Sequence, residues 1–313
     1  MTSMQLRAVT TTTTTTTIIC TTPIPFSTPL LNSICLATKS KTATPSPSLR
    51  SFLPTPPLFS STSIPTGYTM APDALGDANR KFWDERAGAL FQEDWVKVLS
   101  KQLRDCLVSS VEFMGIRKSS PGGPSTKLID YACGNGVVSH ALFDNFDVIR
   151  GVDISDGMVT AYNDLAASLG IPPTRMRAAQ GNLLDPATPL DDPDLYDADA
   201  IIMSMALHHT GDPQKIMAKM AERVRSGGVV VAIDWVTSDT DGAHKHSAAH
   251  GHHTTSKHSF NSEEMSELFA GAGCDKESFG FRTYHETSHI PEHITNTKGG
   301  VDRTFFIAKA NKL

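Results

Sequence analysis

From about residue 74 onward, short apolar runs alternate with segments in which apolar residues recur every three or four positions. KLIDYA, DVIRGVD, TRMRAAQ, DADAIIMSM and GVVVAIDWV have the pattern of strands, most of them buried. VVSHALFDN, SDGMVTAYNDLAASLG and DPQKIMAKMAERVRSG lie between them with helical spacing, and SFGFRTY and RTFFIAKA follow as closing strands. Such alternation predicts an α/β protein with a doubly wound parallel sheet covered by helices on both faces.

A helical segment precedes this alternation. In EDWVKVLSKQLRDCLVSSVEFMG, apolar positions recur at helical spacing, which predicts a helix with one buried stripe. The stripe consists of Trp95, Val98, Leu99, Leu103, Cys106 and Leu107. A turn rich in proline and glycine, SSPGGPS, separates this segment from the first strand. We therefore predict an N-terminal helical region at residues 70–126 and an α/β domain at residues 127–313.

Residues 1–69 have a different composition. A threonine run occupies residues 10–17, and Ser, Thr and Pro are frequent in the rest. This segment has too little apolar surface to offset the entropy of ordering, so we predict a disordered leader. It has no acidic residue and a few basic ones, as organelle transit peptides do. We expect a mitochondrial protein if the leader is translated and cleaved, and a cytoplasmic one if translation starts at Met70. N-terminal sequencing of the native protein distinguishes the two.

The charge of the remaining chain disfavours some partners. The whole chain has 28 basic and 33 acidic residues. Four of the basic residues lie in the leader, which leaves 24 against 33 and a formal charge of −9 for the rest. So acidic a chain is a poor match for nucleic acid or an anionic membrane. The apolar-looking residues 18–36 contain three prolines and will not span a bilayer as a helix. This excess of acidic residues favours an enzyme or binding protein that acts on a small molecule.

The strongest motif is LIDYACGNGVVSHAL, residues 128–142. A buried strand ends at Asp130, a glycine-containing turn follows, and a helix opens at about Gly136. Ligands of an open parallel sheet bind at the carboxyl ends of its strands. Gly134 and Gly136 would let the backbone approach such a ligand, and the helix N-terminus would offer it free N–H groups. The motif therefore predicts a cofactor site.

Two cofactors could use this turn. A nicotinamide dinucleotide favours GxGxxG, but the third of these positions is Ser139. Asp130 would repel a pyrophosphate, whereas it would attract the ammonium group of a sulfonium amino acid. The motif therefore favours S-adenosylmethionine, with Asp130 facing the methionine amine.

Polar residues at the following strand ends add to this prediction. Asp153 ends the second strand, 23 residues after Asp130, where a carboxylate can accept hydrogen bonds from both ribose hydroxyls. Dehydrogenases use a carboxylate in the same way. Asn182 follows the third strand and can bond the adenine amino edge, with Leu183 and Ile154 packing against the ring. The fourth strand runs into MSMALHHTGDP, which we expect to lie against the reacting methyl group.

Together these motifs resemble those of class I S-adenosylmethionine-dependent methyltransferases, in the group that contains ubiquinone- and menaquinone-biosynthesis enzymes and trans-aconitate methyltransferase. The resemblance is carried by DYACGNG, GVDIS, GNLLD and LHHTGDP…SGGVVVAIDW within residues 127–236, and by the terminal RTFFIAKA. It implies a Rossmann-like sheet of seven mostly parallel strands with a reversed last strand. The resemblance is weakest at residues 239–258 and 283–302.

The resemblance also implies roles for single residues. Trp83 and Phe91 resemble the N-terminal lid that covers cofactor and substrate in this family; the alternative, favoured for Phe91, is ordinary packing. Ser204 belongs to the fourth-strand motif and joins the candidate cofactor-binding residues. Ala132 takes the place of the first glycine of the family pattern, which fits if its φ stays negative. Asn182 stands where Asp is commoner, which weakens adenine recognition without abolishing it.

Methyl transfer needs a general base only if the acceptor arrives protonated. His208 and His209, at the mouth of the fourth strand, are the candidates. The alternative is that one of them caps the following helix or bonds a loop carbonyl. His258 and Phe260 follow the fifth strand, and we predict that one or both of them line the substrate pocket.

Six histidines lie in residues 244–258. Histidine is a common metal ligand, but here the HxH and HxHH patterns lack fixed spacing and acidic partners. We therefore predict a flexible polar insertion and no metal site. The five cysteines of the chain form no CxxC pair, which argues against a cysteine zinc site or a disulfide framework.

The sequence leaves two other functions open. A nicotinamide-dependent oxidoreductase is disfavoured by the missing third glycine and by the absence of a Tyr-x-x-x-Lys pair. A non-catalytic protein that keeps the cofactor pocket would bind S-adenosylmethionine without transferring its methyl group. We expect an enzyme that methylates a small molecule. The acceptor atom (oxygen, nitrogen or carbon) and the oligomeric state do not follow from these patterns.

Overall fold

The computed structural model describes residues 72–185, 190–237, 255 and 257–313. The leader and most of the histidine-rich stretch lie outside these ranges, so the predictions made for them stay predictions. Within the described residues the strands are β1 (Lys127–Tyr131), β2 (Val148–Asp153), β3 (Met176–Gln180), β4 (Ala198–Ser204), β5 (Val224–Trp235), β6 (Gly280–Thr283), β7 (Ser288–Ile290), β8 (Val301–Arg303) and β9 (Phe305–Asn311).

The helices lie between these strands and before them. They are α1 (Pro72–Arg86), α2 (Asp94–Ser109), α3 (Val111–Met114), α4 (Val137–Ala141), α5 (Asp156–Ser168), α6 (Pro213–Ala221), α7 (Ser262–Gly271) and α8 (Glu292–Thr295). Local sequence sets several of these boundaries. The Ser155 side chain accepts a hydrogen bond from the Met158 amide at the start of α5. Asn261 and Glu264 form a reciprocal capping box at the start of α7.

Seven strands form one sheet in the order β3-β2-β1-β4-β5-β9-β6. The first five strands of the chain are parallel, and β9 runs antiparallel to both β5 and β6. The predicted seven-stranded doubly wound sheet with a reversed last strand is therefore confirmed. Because β1 pairs with β2 on one side and with β4 on the other, the chain connections diverge at β1 and β4. That divergence is where open α/β sheets bind their ligands.

The sheet is covered on both faces, as the alternation predicted. Consecutive strand residues belong to opposite buried clusters: Leu128 lies with residues from α2, α4 and α5, whereas Ile129 lies with residues from α6 and α7. The predicted apolar stripe of α2 is right except at Val98, which is 54% exposed, while Val96 is buried. Helix α2 therefore fills one face of the sheet as well as contributing to the predicted lid.

The segment after β6 contains elements that the sequence did not predict. The short strands β7 and β8 pair antiparallel, with α8 between them. The buried Gln102 of α2 accepts a hydrogen bond from the Ser288 hydroxyl (2.6 Å) and donates one to the Thr287 carbonyl (3.1 Å). These bonds fix the β7–α8–β8 segment against α2.

Candidate active site

A cavity of about 450 Å³ opens at the carboxyl ends of β1 and β4. Twelve of the fifteen candidate site residues line it. They are Trp83, Phe91, Asp130, Ala132, Gly134, Asp153, Ile154, Asn182, Ser204, His208, His209 and His258. Gly136, Leu183 and Phe260 do not line it. Residues separated by up to 175 positions are thus brought into one site by the ends of neighbouring strands.

Asp130 is buried at the end of β1 and lines the cavity. Oδ2 accepts hydrogen bonds from the Ser139 amide (3.1 Å) and hydroxyl (2.6 Å). The helix N-terminus predicted to bind a ligand is therefore partly occupied by this carboxylate. None of the described residues hydrogen-bonds to Oδ1. Burial raises the pKa of Asp130 to about 7, although the Ser139 bonds lower it. A cation in the cavity would favour the ionised form.

Asp153 connects two loops beside the cavity: the loop after β1, which contains Gly134, and the loop after β2, which contains Ser155. Its carboxylate accepts from the Gly134 amide (2.8 Å) and from the Ser155 amide (3.0 Å). Burial raises the pKa of Asp153, and the amide hydrogen bonds lower it. The Ile154 amide also contributes to this effect, and three amides leave room on a carboxylate with about four acceptor positions, so the group can still accept a hydrogen bond from a ligand.

Backbone strain is found at the two strand ends that flank the cavity. Ala132 after β1 has φ +57°, and Met205 after β4 has φ +55°. This corrects the expectation that the φ of Ala132 stays negative: the turn keeps the left-handed conformation in which glycine is most easily accommodated. Left-handed non-glycine residues are often found at functional sites.

Replacing Ala132 with glycine should therefore stabilise the protein. Relief of the left-handed strain outweighs the added entropy of the unfolded chain, so we expect Ala132→Gly to raise the free energy of unfolding by about 1 kcal/mol in urea titrations. Ala161→Gly, inside helix α5, is the matched control and should lower it by about the same amount. A lower stability for Ala132→Gly would contradict the strain.

The two glycines of the first turn have different roles. Gly134, at φ +50°, lines the cavity, and a side chain there would approach the Phe91 ring. Gly136, at φ +87°, is the residue before α4, and a Cβ there would come within 3.0 Å of the Tyr162 ring. Gly136 therefore leaves room for Tyr162 and not for a ligand, which corrects that part of the sequence prediction.

The part of the cavity beside the ends of β2 and β3 combines an amide with aliphatic side chains. Asn182 Oδ1 accepts from the Leu184 amide (2.9 Å) and, at 3.4 Å, from the Tyr131 hydroxyl. Leu184 and Ile154 line the cavity, whereas Leu183 does not, and both leucines pack against the same buried cluster as Ile129. The prediction that Leu183 lines the cofactor site is therefore wrong, and its neighbour Leu184 lines the cavity instead.

His208 is held by a carboxylate that the sequence analysis did not single out. Asp234, fully buried near the end of β5, accepts from the His208 amide (3.0 Å) and lies 2.7 Å from His208 Nδ1. The ring of His209 lies 4.0 Å from that of His208, centroid to centroid, and the Trp83 ring contacts His209 edge to face. A charged residue in the otherwise apolar run VVVAIDWV was the available signal for Asp234, because a buried carboxylate requires a partner.

Helix α1 bridges both sides of the cavity. Asp84 accepts from the Ser155 hydroxyl (2.5 Å) and the Gly157 amide (3.2 Å) at the start of α5. Asn79 donates to the His209 carbonyl (3.0 Å). Gly76, near the start of α1, lies beside Asn182. These contacts support the lid position predicted for Trp83, and nothing in the local sequence of α1 signals its partners.

The two residues predicted after β5 differ in their positions. His258 lines the cavity, and its carbonyl accepts from Arg303 Nη1 (3.0 Å). Phe260 is only 1% exposed and lies in the core, where its amide donates to the Trp235 carbonyl. Its predicted role in lining the pocket is wrong, because burial of the large apolar ring in the core determines its position.

No three His, Cys, Asp or Glu side chains in the described residues converge as metal ligands would. Most of the histidine-rich stretch lies outside those residues, so a polar insertion without a metal site stays a prediction there. In the same part of the chain, no helix combines the length and apolarity needed to cross a membrane.

Comparison with known proteins identifies the domain. A family model described as a methyltransferase domain matches residues 129–230. The uncharacterized methyltransferase C1347.09 of Schizosaccharomyces pombe is 33% identical over 109 residues, which cover 35% of this chain and 38% of that protein. The match thus spans well under half the length of this curated relative.

Solved structures show the same fold at low sequence identity. Geranyl diphosphate C-methyltransferase from Streptomyces coelicolor A3(2) has 16% identity and a TM-score of 0.52, with 78% of this chain and all of that chain covered. Magnesium protoporphyrin IX methyltransferase from Synechocystis PCC 6803, with bound S-adenosylhomocysteine, has 14% identity and a TM-score of 0.51, with 76% and 99% covered. The subgroup suggested by the sequence motifs stays a prediction. Residues 129–230 thus match a methyltransferase domain, and the chain shares its fold with S-adenosylmethionine-dependent methyltransferases of known structure.

Proposed function

We propose that this protein transfers a methyl group from S-adenosylmethionine to a small-molecule acceptor bound in the same cavity. The observation that carries the proposal is the pair of buried carboxylates, Asp130 and Asp153, at the ends of the adjacent strands β1 and β2. Two acidic groups at one ligand cavity suit a ligand with a cationic group and hydroxyl donors. S-adenosylmethionine has an ammonium group, a sulfonium centre and two ribose hydroxyls.

The residues at the cavity fit this ligand. Asp130 Oδ1, which has no partner among the described residues, would accept from the methionine ammonium. Asp153 would hold the ribose hydroxyls, and Asn182 with Ile154 and Leu184 would surround the adenine. Two further buried atoms at the cavity, Ser204 Oγ and Asn79 Oδ1, have no hydrogen-bond partner in the described chain. Unpaired buried polar atoms are costly, and they are explained if a polar ligand group satisfies them.

The protein contributes mainly alignment and exclusion of water. When bound, S-adenosylmethionine supplies a methyl group that its sulfonium already activates for displacement. The chain has to hold the acceptor in line with that methyl group, an effect worth up to ~7–11 kcal/mol in favourable cases. Helix α1, fixed through Asp84 and Asn79, would cover the reacting groups and keep water out.

A small acceptor is favoured by the shape and charge of the site. The cavity walls are mostly apolar, and α1, α2 and the β7–α8–β8 segment contribute to them. After the leader the chain has 24 basic and 33 acidic residues, a charge balance that disfavours a polyanionic acceptor. Two proteins of similar fold are named for methylating geranyl diphosphate and magnesium protoporphyrin IX, both small molecules.

The test is a pair of binding titrations followed by a transfer assay. The full chain should bind S-adenosylhomocysteine in a calorimeter and should not quench reduced nicotinamide fluorescence. With S-adenosylmethionine labelled in the methyl group, label should enter the small-molecule fraction of a cell extract. Label found only in protein or nucleic acid would contradict the acceptor class. Binding without any transfer would favour a non-catalytic protein, and binding of nicotinamide alone would favour the oxidoreductase.

The raised pKa of Asp130 gives a pH prediction. A bound ammonium group favours the ionised carboxylate, so binding below pH 7 requires Asp130 to lose a proton. We expect the affinity for S-adenosylhomocysteine to fall as the pH decreases from 7.5 to 5.5, by at most about tenfold per unit from this group. Calorimetry at three pH values measures it. Asp130→Asn is the control: it should bind more weakly at pH 7.5 and lose much of the slope. An unchanged slope would remove Asp130 from the ammonium site.

A further inference from the structure

The His208–Asp234 pair has a geometry that fixes which ring nitrogen carries the proton. The Asp234 carboxylate already accepts from two backbone amides, those of His208 (3.0 Å) and Trp235 (2.7 Å). Because this carboxylate serves as an acceptor, the ring nitrogen that faces it should carry the proton. That nitrogen is His208 Nδ1, which lies 2.7 Å from Asp234 Oδ1. The lone pair of the imidazole is then on Nε2, which has no protein partner in the described chain.

His208 lines the cavity beyond the end of β4, so a proton on a bound acceptor is its natural target. The ring is sterically constrained, because His209 packs beside it and Trp83 packs against His209. An oriented imidazole with a free lone pair is the arrangement of a general base. Asp234 does not face the acceptor, so it acts as a positioning residue.

The side chains of the cavity wall indicate the chemical character of the rest of the acceptor molecule. Ile290, Ile294 and Val301 of the β7–α8–β8 segment line the cavity, as do Trp95, Leu99 and Trp235. These six side chains are apolar or aromatic and suit an apolar frame. Most of this segment lies in residues 283–302, where the resemblance to the family motifs is weak.

The need for a base separates classes of acceptor. A carboxylic acid arrives ionised, and a neutral aromatic amine attacks through its own lone pair, so neither requires proton removal before attack. A phenol is mostly protonated near neutral pH, and its oxygen becomes a strong nucleophile only as the proton leaves. The two arginines at the cavity have other contacts: Arg86 stacks on the Phe82 ring, and Arg303 donates to the His258 carbonyl.

We propose that the acceptor is a phenolic hydroxyl on an apolar frame, and that His208 Nε2 removes its proton while Asp234 holds the imidazole. This inference rests on the proposed methyl transfer. The acceptor O–H bond breaks and its proton moves to Nε2. The oxygen–methyl bond forms as the sulfur–methyl bond breaks, and the bonding pair stays on sulfur. The products are an aryl methyl ether and S-adenosylhomocysteine, and His208 then releases its proton to water.

The test compares a phenol that is protonated at pH 7.5 with one that is largely ionised. The probes are 4-methylphenol and 4-nitrophenol, with 4-methylaniline and 4-methylbenzoate as competing classes. We expect His208→Gln to lower turnover of 4-methylphenol by ~10²–10⁴. The loss with 4-nitrophenol should be at least about tenfold smaller, because that substrate no longer depends on the base. Asp234→Asn should act in the same direction.

His289→Gln is the matched control. His289 Nδ1 lies 2.8 Å from Asp302, but this pair is exposed and His289 does not line the cavity. Its turnover with both phenols should equal that of the unchanged protein. The affinity for S-adenosylhomocysteine, measured by calorimetry, should stay within a factor of about two in the His208 and His289 variants.

The outcomes separate this inference from the function on which it rests. Equal losses with both phenols in His208→Gln would show a structural role and overturn it. Methylation of the amine or the carboxylate alone, or of none of the probes by a protein that binds S-adenosylhomocysteine, would also overturn it and leave the methyl transfer standing. Failure to bind S-adenosylhomocysteine would instead contradict the proposed function.

Discussion

Replacing Asp153 with alanine should lower the affinity for S-adenosylhomocysteine by about 100-fold or more, because charge-assisted hydrogen bonds contribute ~1.5–3 kcal/mol each and two ribose hydroxyls would lose theirs. The same change removes the acceptor for the Gly134 and Ser155 amides. The loops on both sides of the ribose site then lose their common anchor. Calorimetric titration of the folded variant measures the effect.

A carboxylate of similar local role but outside the cavity provides the control. Asp192 accepts from a backbone amide and pairs with Arg177, and it does not line the cavity. Asp192→Ala should leave the affinity for S-adenosylhomocysteine within a factor of about two. Equal affinities for Asp153→Ala and the unchanged protein would remove Asp153 from the site.

A side chain at Gly151 should destabilise the whole domain. A Cβ there would lie 2.9 Å from the Ala178 Cβ and 2.9 Å from the Cys133 sulfur, and 3.2 Å from the Tyr162 ring. Because interiors are closely packed, we expect Gly151→Val to lower the free energy of unfolding by about 3 kcal/mol. Urea or thermal unfolding measures this loss.

The clash at Gly151 should also weaken ligand binding. The Tyr162 hydroxyl donates to Ser139 Oγ, which in turn donates to Asp130, so a displaced ring disturbs the carboxylate assigned to the ammonium group. Gly88→Val is the control, since nothing lies within 4 Å of a Cβ at that position. It should unfold within about 0.5 kcal/mol of the unchanged protein. A Gly151→Val variant of full stability would contradict the described packing.

Much of the fold and of the cofactor end could be predicted, because the information is local. Apolar runs of strand length between helical segments determine a doubly wound sheet. The residues at strand ends, among them Asp130, Asp153 and His208, then come together at one edge whatever the details of the loops. Their order along the chain was therefore enough to locate them.

The errors lie where side-chain direction is set by distant contacts. Leu183 and Leu184 are adjacent in a loop, where no strand or helix periodicity fixes which one faces the ligand. Phe260 was placed in the pocket wall, but it is drawn into the core beside β5. The role of Gly136 depends on the ring of Tyr162, 26 residues further along the chain.

The elements that were missed have weak local signals. Strands β7 and β8 have three residues each, too short for alternation to be visible. Their position depends on Gln102, a polar residue in an amphipathic helix whose partners lie about 185 residues away. Asp234 was accessible to inference, because a lone acidic residue in a buried strand needs a partner and His208 lies at the end of the adjacent strand.

The central claim is that the cavity at the ends of β1 and β4 binds S-adenosylmethionine through two carboxylates. A crystal structure of the full chain with S-adenosylhomocysteine tests it most directly. We predict the ribose hydroxyls at hydrogen-bond distance from Asp153, the amine beside Asp130 and the adenine against Ile154 and Leu184. A ligand bound elsewhere, or one in this cavity with its ribose turned away from Asp153, would contradict the account.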